Sequence, residues 1–155
     1  MRSIQQWLDE YNESHQDPRN KVLHWICVPL IMMSLLGLLW PLSLSIQLSD
    51  ATLSINLAVI VVLLAMVYYS YLSVSLSIGM LFVSASMFFL LSLVAAMQTP
   101  LWAICLVIFV LAWIGQFIGH QLEGRRPSFF KDVQFLLIGP LWLLSFIYKR
   151  LGLSY

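Results

Sequence analysis

LWAICLVIFVLAWIGQFIGHQLEGRRP, residues 101–127, decides the reading of the fold. From Leu101 to Ile118 no charged residue appears, and an uncharged apolar run of about 18 residues or more is long enough to cross a bilayer as a helix. Polarity returns abruptly at the end of the run. Trp113, Gln116, His120 and Glu123 are spaced three, four and three apart, so at about 100° per helical residue they fall within about 80° of one another. One stripe of the helix therefore presents an indole, an amide, an imidazole and a carboxylate at the edge of the membrane. Gly115 and Gly119 form a G-x-x-x-G on the adjoining face, the pattern of close helix contact.

The rest of the chain repeats the apolar theme. Of 155 residues, 61% are hydrophobic and 10% charged, with a mean hydropathy of +0.89. Soluble domains carry about 25% charged residues. Asp50 is the only charged residue between Val22 and Leu122. The expected fold is an all-α integral membrane bundle in one domain, 1–155. Four transmembrane helices are expected over 22–40, 51–69, 74–97 and 101–118, separated by Pro41 with a Ser-rich stretch to Asp50, by the Tyr68, Tyr69, Tyr71 cluster, and by Gln98, Thr99 and Pro100. A shorter apolar run, 133–148, contains Gly139 and Pro140 and reads as a broken or half-inserted helical hairpin.

Basic residues lie before the first span (Arg2, Arg19, Lys21), after the fourth (Arg125, Arg126, Lys131), and after the last run (Lys149, Arg150). By the positive-inside rule all of them face the cytoplasm, which requires an even number of crossings between Lys21 and Arg125. His24 and His120 are then expected at one depth on one membrane face. The N-terminal segment is not expected to be a secretory signal, because Asp9, Glu10, Glu13 and Asp17 precede the first apolar run. A net charge of +1 with a pI near 7.8 supplies no field for a nucleic-acid backbone. Cys27 and Cys105 fall within predicted spans and read as buried packing residues, with no disulfide or zinc-finger pattern.

Upstream, residues 1–16 read as an amphipathic interfacial helix. Ile4, Trp7, Leu8, Tyr11 and His15 make its apolar stripe, opposite Gln5, Gln6, Asp9, Glu10 and Glu13. Its acidic polar face is ill suited to anionic lipid, which favours docking on the bundle. Asp17 and Pro18 read as N-cap and first residue of a new helix, with Asn20 and His24 on one face and Pro29 inviting a kink.

Taken singly, each histidine is equally well read as an interfacial side chain. Together, His15, His24, His120 and Glu123 make a candidate metal-binding and catalytic set, because neutral imidazoles and a carboxylate are divalent-metal ligands. Tyr11, Asn20, Gln116 and Trp113 are the candidate side chains behind them. Imidazole suits iron, zinc, copper or nickel, and a His/carboxylate set with an open position is the pattern of non-haem Fe(II) oxygenases. Three histidines are too few for the membrane di-iron hydroxylases and desaturases, so one metal ion is the ceiling. A zinc-dependent membrane lipid hydrolase is the runner-up. A transporter or structural subunit ranks third, since no ionisable residue lies near the centre of the later spans.

Tyr11, His15, Asn20, His24 and Pro29, followed by Trp113, Gln116, Phe117, Gly119, His120, Glu123 and Pro127, resemble a small multi-pass membrane family whose characterised fungal members are endoplasmic-reticulum 2-hydroxy-fatty-acid dioxygenases. The resemblance covers nearly the whole length. It implies fatty-acid α-oxidation, in which Fe(2+) and O2 act on a long-chain 2-hydroxy fatty acid to remove one carbon. It further implies a compact, bacterial-type member in the inner membrane, or an endoplasmic-reticulum protein if the source is eukaryotic. With such a substrate, Arg125 or Arg126 is placed to hold the carboxylate, while the alkyl tail enters the bundle or the lipid bilayer.

Overall fold

The computed structural model describes residues 2–48, 51–124 and 134–155. Among these, six helices and one hairpin follow in chain order: α1 (Ile4–Asn12), α2 (Pro18–Leu39), β1 (Ser43–Leu48), β2 (Ala51–Asn56), α3 (Leu57–Leu72), α4 (Val74–Ala96), α5 (Leu101–Glu123) and α6 (Phe135–Leu151). The architecture fits an all-α membrane bundle. Three helices, α2, α4 and α5, are long and apolar enough to cross a membrane. Outward faces of the bundle are apolar too: Phe82 of α4 is 70% exposed and Val67 of the shorter α3 71%, a surface that lipid solvates and water does not.

The second expected span, 51–69, needs correction. Residues 51–56 form β2, antiparallel to β1 with Leu44 opposite Ile55, Ser45 opposite Ser54 and Ile46 opposite Leu53. Polar and aliphatic residues alternate along both strands, which is a period-two pattern. Averaged hydropathy hides it. Only the remaining α3 is helical, and its 16 residues make a rod of about 24 Å, short of the roughly 30 Å hydrocarbon core.

Two further differences bear on the site. Residues 133–148 are expected as a broken or half-inserted hairpin; the break is not observed, since α6 is one continuous helix from Phe135 to Leu151 through Pro140. Proline removes one donor and crowds one turn; burial of Ile138, Leu141 and Trp142, each 2% exposed or less, offsets that cost. The N-terminal helix ends at Asn12 rather than continuing to 16, so His15 lies on the turn beyond α1, its N–H donating to the Asn12 carbonyl at 3.0 Å. As expected, α1 docks on the bundle: Trp7, Leu8 and Tyr11 are buried, and Trp7 meets Phe135 of α6 edge-on at 5.3 Å.

The expected start of α2 is observed. Asp17 caps it, accepting from the Arg19 N–H at 2.8 Å, and Pro18 occupies the first turn. Helices α2 and α5 then pack antiparallel at very short range. A Cβ on Gly115 would lie 2.6 Å from Cys27 Sγ, and Cβ atoms on Gly119 and Gly37 would overlap Asn20 Oδ1 and Cys105 Sγ. Both cysteines are buried and unpaired. They fill space opposite glycines, so the G-x-x-x-G is a packing surface. This register sets the start of α2 beside the end of α5.

Candidate metal centre

Three imidazoles meet where those ends pass. One ring nitrogen from each of His15, His24 and His120 lies within 4.8 Å of the others, and the ring centroids are 4.2 Å apart for His15 and His24, and 5.0 Å for His120 from either. All three are at most 5% exposed. His24 comes from the second turn of α2, His120 from the last turn of α5, and His15 from the turn after α1.

Backbone carbonyls set the protonation of two of these rings. His15 Nδ1 is 2.6 Å from the Tyr11 carbonyl oxygen and His24 Nδ1 is 3.0 Å from that of Asn20. A carbonyl only accepts, so each Nδ1 carries the hydrogen and each Nε2 bears a lone pair. These two Nε2 atoms face one another at 2.9 Å. Two bare lone pairs at that distance repel unless a cation lies between them or beside them. A proton is disfavoured, because burial lowers the pKa of His15 to about 4. His120 adds a buried Nδ1 with no hydrogen-bond partner. A divalent metal ion would satisfy all of these unmet requirements, and neutral imidazole is the commonest protein ligand of such ions.

Glu123, expected as a fourth ligand, is not drawn into the histidine group. Its Oε1 accepts from the Gln16 N–H at 2.7 Å, and its Oε2 accepts from the Asp17 N–H at 2.7 Å and from Asn20 Nδ2 at 3.1 Å. The carboxylate clasps the turn that carries His15 to the end of the helix that carries His120. Asn20 donates a second, longer bond to the Ser14 carbonyl at 3.3 Å.

Tyr11 stacks on His15 with centroids 4.2 Å apart and planes 11° from parallel, as well as supplying the carbonyl to its ring. Gln116 and Trp113 line a cavity of about 70 Å³ that also touches His24 and His120, room for about two water-sized groups. Arg125 and Arg126, expected to hold a substrate carboxylate, lie outside the described residues. Sequence reasoning missed Trp142 of α6, whose ring is 5.2 Å from His15 and 5.4 Å from Tyr11 and is 2% exposed. Its only signal is its place two residues after Gly139-Pro140, where close approach is possible: a Cβ on Gly139 would come within 2.9 Å of the Tyr11 hydroxyl.

The fold and the site together define a helical protein of membrane type with a buried cluster of three imidazoles able to hold one metal ion. Residues 1–151 match the family described as 2-hydroxy-palmitic acid dioxygenase Mpo1-like, and the chain belongs to that family. No curated protein and no solved structure matches the chain.

Proposed function

We propose that this protein is an Fe(II)-dependent dioxygenase that shortens long-chain 2-hydroxy fatty acids by one carbon, with its metal held by His15, His24 and His120 at the cytoplasmic face of the membrane. The observation that carries the proposal is the pair of unprotonated Nε2 atoms at 2.9 Å, completed by the third buried imidazole, in a member of a family described by that activity. Imidazole donors suit iron, zinc, copper and nickel alike, and the choice of iron rests on the dioxygenase activity by which the family is described. Ferrous iron held by His15, His24 and His120 would supply the redox chemistry that activates O2 toward an α-hydroxy carboxylate.

The chain's own residues do the rest. The carbonyls of Tyr11 and Asn20 fix the tautomers of His15 and His24 and aim both lone pairs inward. Tyr11 and Trp142 shield His15 from water. Gln116, 6% exposed and adjoining the histidine cavity, is placed to hydrogen-bond the polar head of the substrate, and Trp113 walls the same space. The overall change balances: a 2-hydroxy acid and O2 become the acid one carbon shorter, carbon dioxide and water.

Incubation of the purified iron-loaded protein with 2-hydroxypalmitate, with and without O2, tests the reading by mass spectrometry. The shortened acid is expected only with O2 and in step with its consumption. Absence of that product with a zinc-loaded protein that instead cleaves lipid esters or amides would replace the dioxygenase by a hydrolase.

A further inference from the structure

A second, larger cavity of about 500 Å³ adjoins the first. The two share Ile31, Met32, Trp113, Leu136 and Pro140 in their walls, so they lie side by side, the smaller at the histidines and the larger farther along the bundle. Their walls can be followed along two helices. On α2 the wall passes from His24 through Val28 and Met32 to Leu36, and on antiparallel α5 it passes from His120 through Gln116 and Trp113 to Phe109. At 1.5 Å per residue the α2 path is about 18 Å deep, more than half of the roughly 30 Å hydrocarbon core. The volume of the larger cavity falls in the roughly 300–1,000 Å³ range of ligand pockets.

We propose that this passage seats the alkyl chain of the substrate, with its head at the histidines, and that Val62 of α3 and Ser84 of α4 determine the chain length accepted. The proposal rests on the dioxygenase reading for the identity of the head group. Both residues line the larger cavity and neither lines the smaller. Val62 packs against the buried cluster that contains Leu36, the wall residue of α2 farthest from His24, and Ser84 lies one helical turn before Met87 of the same cluster. The mostly apolar wall offers burial to an alkyl chain, and side-chain bulk at positions 62 and 84 limits how much of the cavity that chain can fill. Serine at position 84, only 4% exposed, leaves the volume that a larger side chain would take.

Two variants, Val62→Phe and Ser84→Phe, are compared with the unaltered protein for turnover of 2-hydroxypalmitate against 2-hydroxyoctanoate. In parallel, palmitate carrying a diazirine at its chain terminus is photocrosslinked to the full-length protein and the label mapped. The long-to-short preference is expected to fall by about tenfold or more in each variant that folds, with metal content unchanged and with label on α2 between Ile31 and Leu36 or on α3 near Val62. An unchanged preference in a folded variant, or label confined to outward residues such as Phe82 and Phe89, overturns the assignment. If the unaltered protein turns over neither acid, the dioxygenase reading fails and the label alone decides: inside supports the passage, outside rejects it.

Discussion

At the residue scale, Glu123 and His15 have the clearest measurable consequences. Glu123 joins two chain segments 103 or more residues apart through three hydrogen bonds, and charge-assisted bonds of this kind are stronger than neutral ones. Glu123→Ala is expected to weaken metal binding about 10–100-fold, and Glu123→Gln less, because the amide retains one acceptor. Competition against a chromophoric chelator measures this; wild-type affinity in the alanine variant would show that the clasp does not position His15. His15 also sets a pH dependence in the metal-free protein. Its pKa is about 4 when folded, lowered by burial, against 6.5 as the ordinary value. Between those values the unfolded chain binds a proton that the folded chain refuses. Stability is therefore complete above about pH 6.5 and falls as the pH drops toward 4, by on the order of 3 kcal/mol. Thermal unfolding in detergent should show this slope, and His15→Gln should flatten it; an equal slope in both proteins would contradict the assignment.

At the element scale, the contact between α2 and α5 holds the site together. Gly119→Val is expected to part the helices at Asn20, whose carbonyl orients His24 and whose amide binds Glu123. Metal affinity should fall by about tenfold or more, while Gly124→Ala, where a Cβ would meet open space, costs only the strain of its left-handed backbone (φ 69°). Equal metal affinity in Gly119→Val and wild type would remove the helix contact from the account. Much of this was legible in the sequence, for definite reasons. Asp17-Pro18 carries a local capping signal, the G-x-x-x-G carries a contact signal, and the polar stripe from Trp113 to Glu123 carries helical periodicity. The β-hairpin was not legible as strand because Ser43–Leu48 reads as a Ser-rich break between spans and Ala51–Asn56 merges with the apolar run that follows it in any long window. Trp142 was invisible for a different reason. One tryptophan in an apolar helix has many explanations, and only packing against Tyr11 and His15 selects one. Glu123 was found as a member of the site, but spacing does not distinguish a carboxylate that points at the imidazoles from one that accepts three hydrogen bonds beside them.

At the scale of the whole molecule, the antiparallel course of α2 and α5 places the N-terminal segment and the end of α5 on one side. Single cysteines introduced at the exposed positions Ser3 and Gln121 should both react with an impermeant maleimide from the same side of sealed vesicles, since the native Cys27 and Cys105 are buried. Reaction from opposite sides would contradict the topology. The expectation of a cytoplasmic site adds that this side is the inner one. Charge placement alone puts His24 and His120 on one membrane face, and the hairpin and the shortness of α3 leave their meeting intact, because it depends on the relative course of α2 and α5.

The central claim is that three imidazoles from three separate segments share one metal ion. Elemental analysis of the purified protein and of His15→Ala, His24→Ala and His120→Ala, each checked for folding by circular dichroism, tests it most directly. The account predicts about one metal ion per chain in the unaltered protein and near-complete loss in every folded variant; full metal content in any folded one of the three would contradict it.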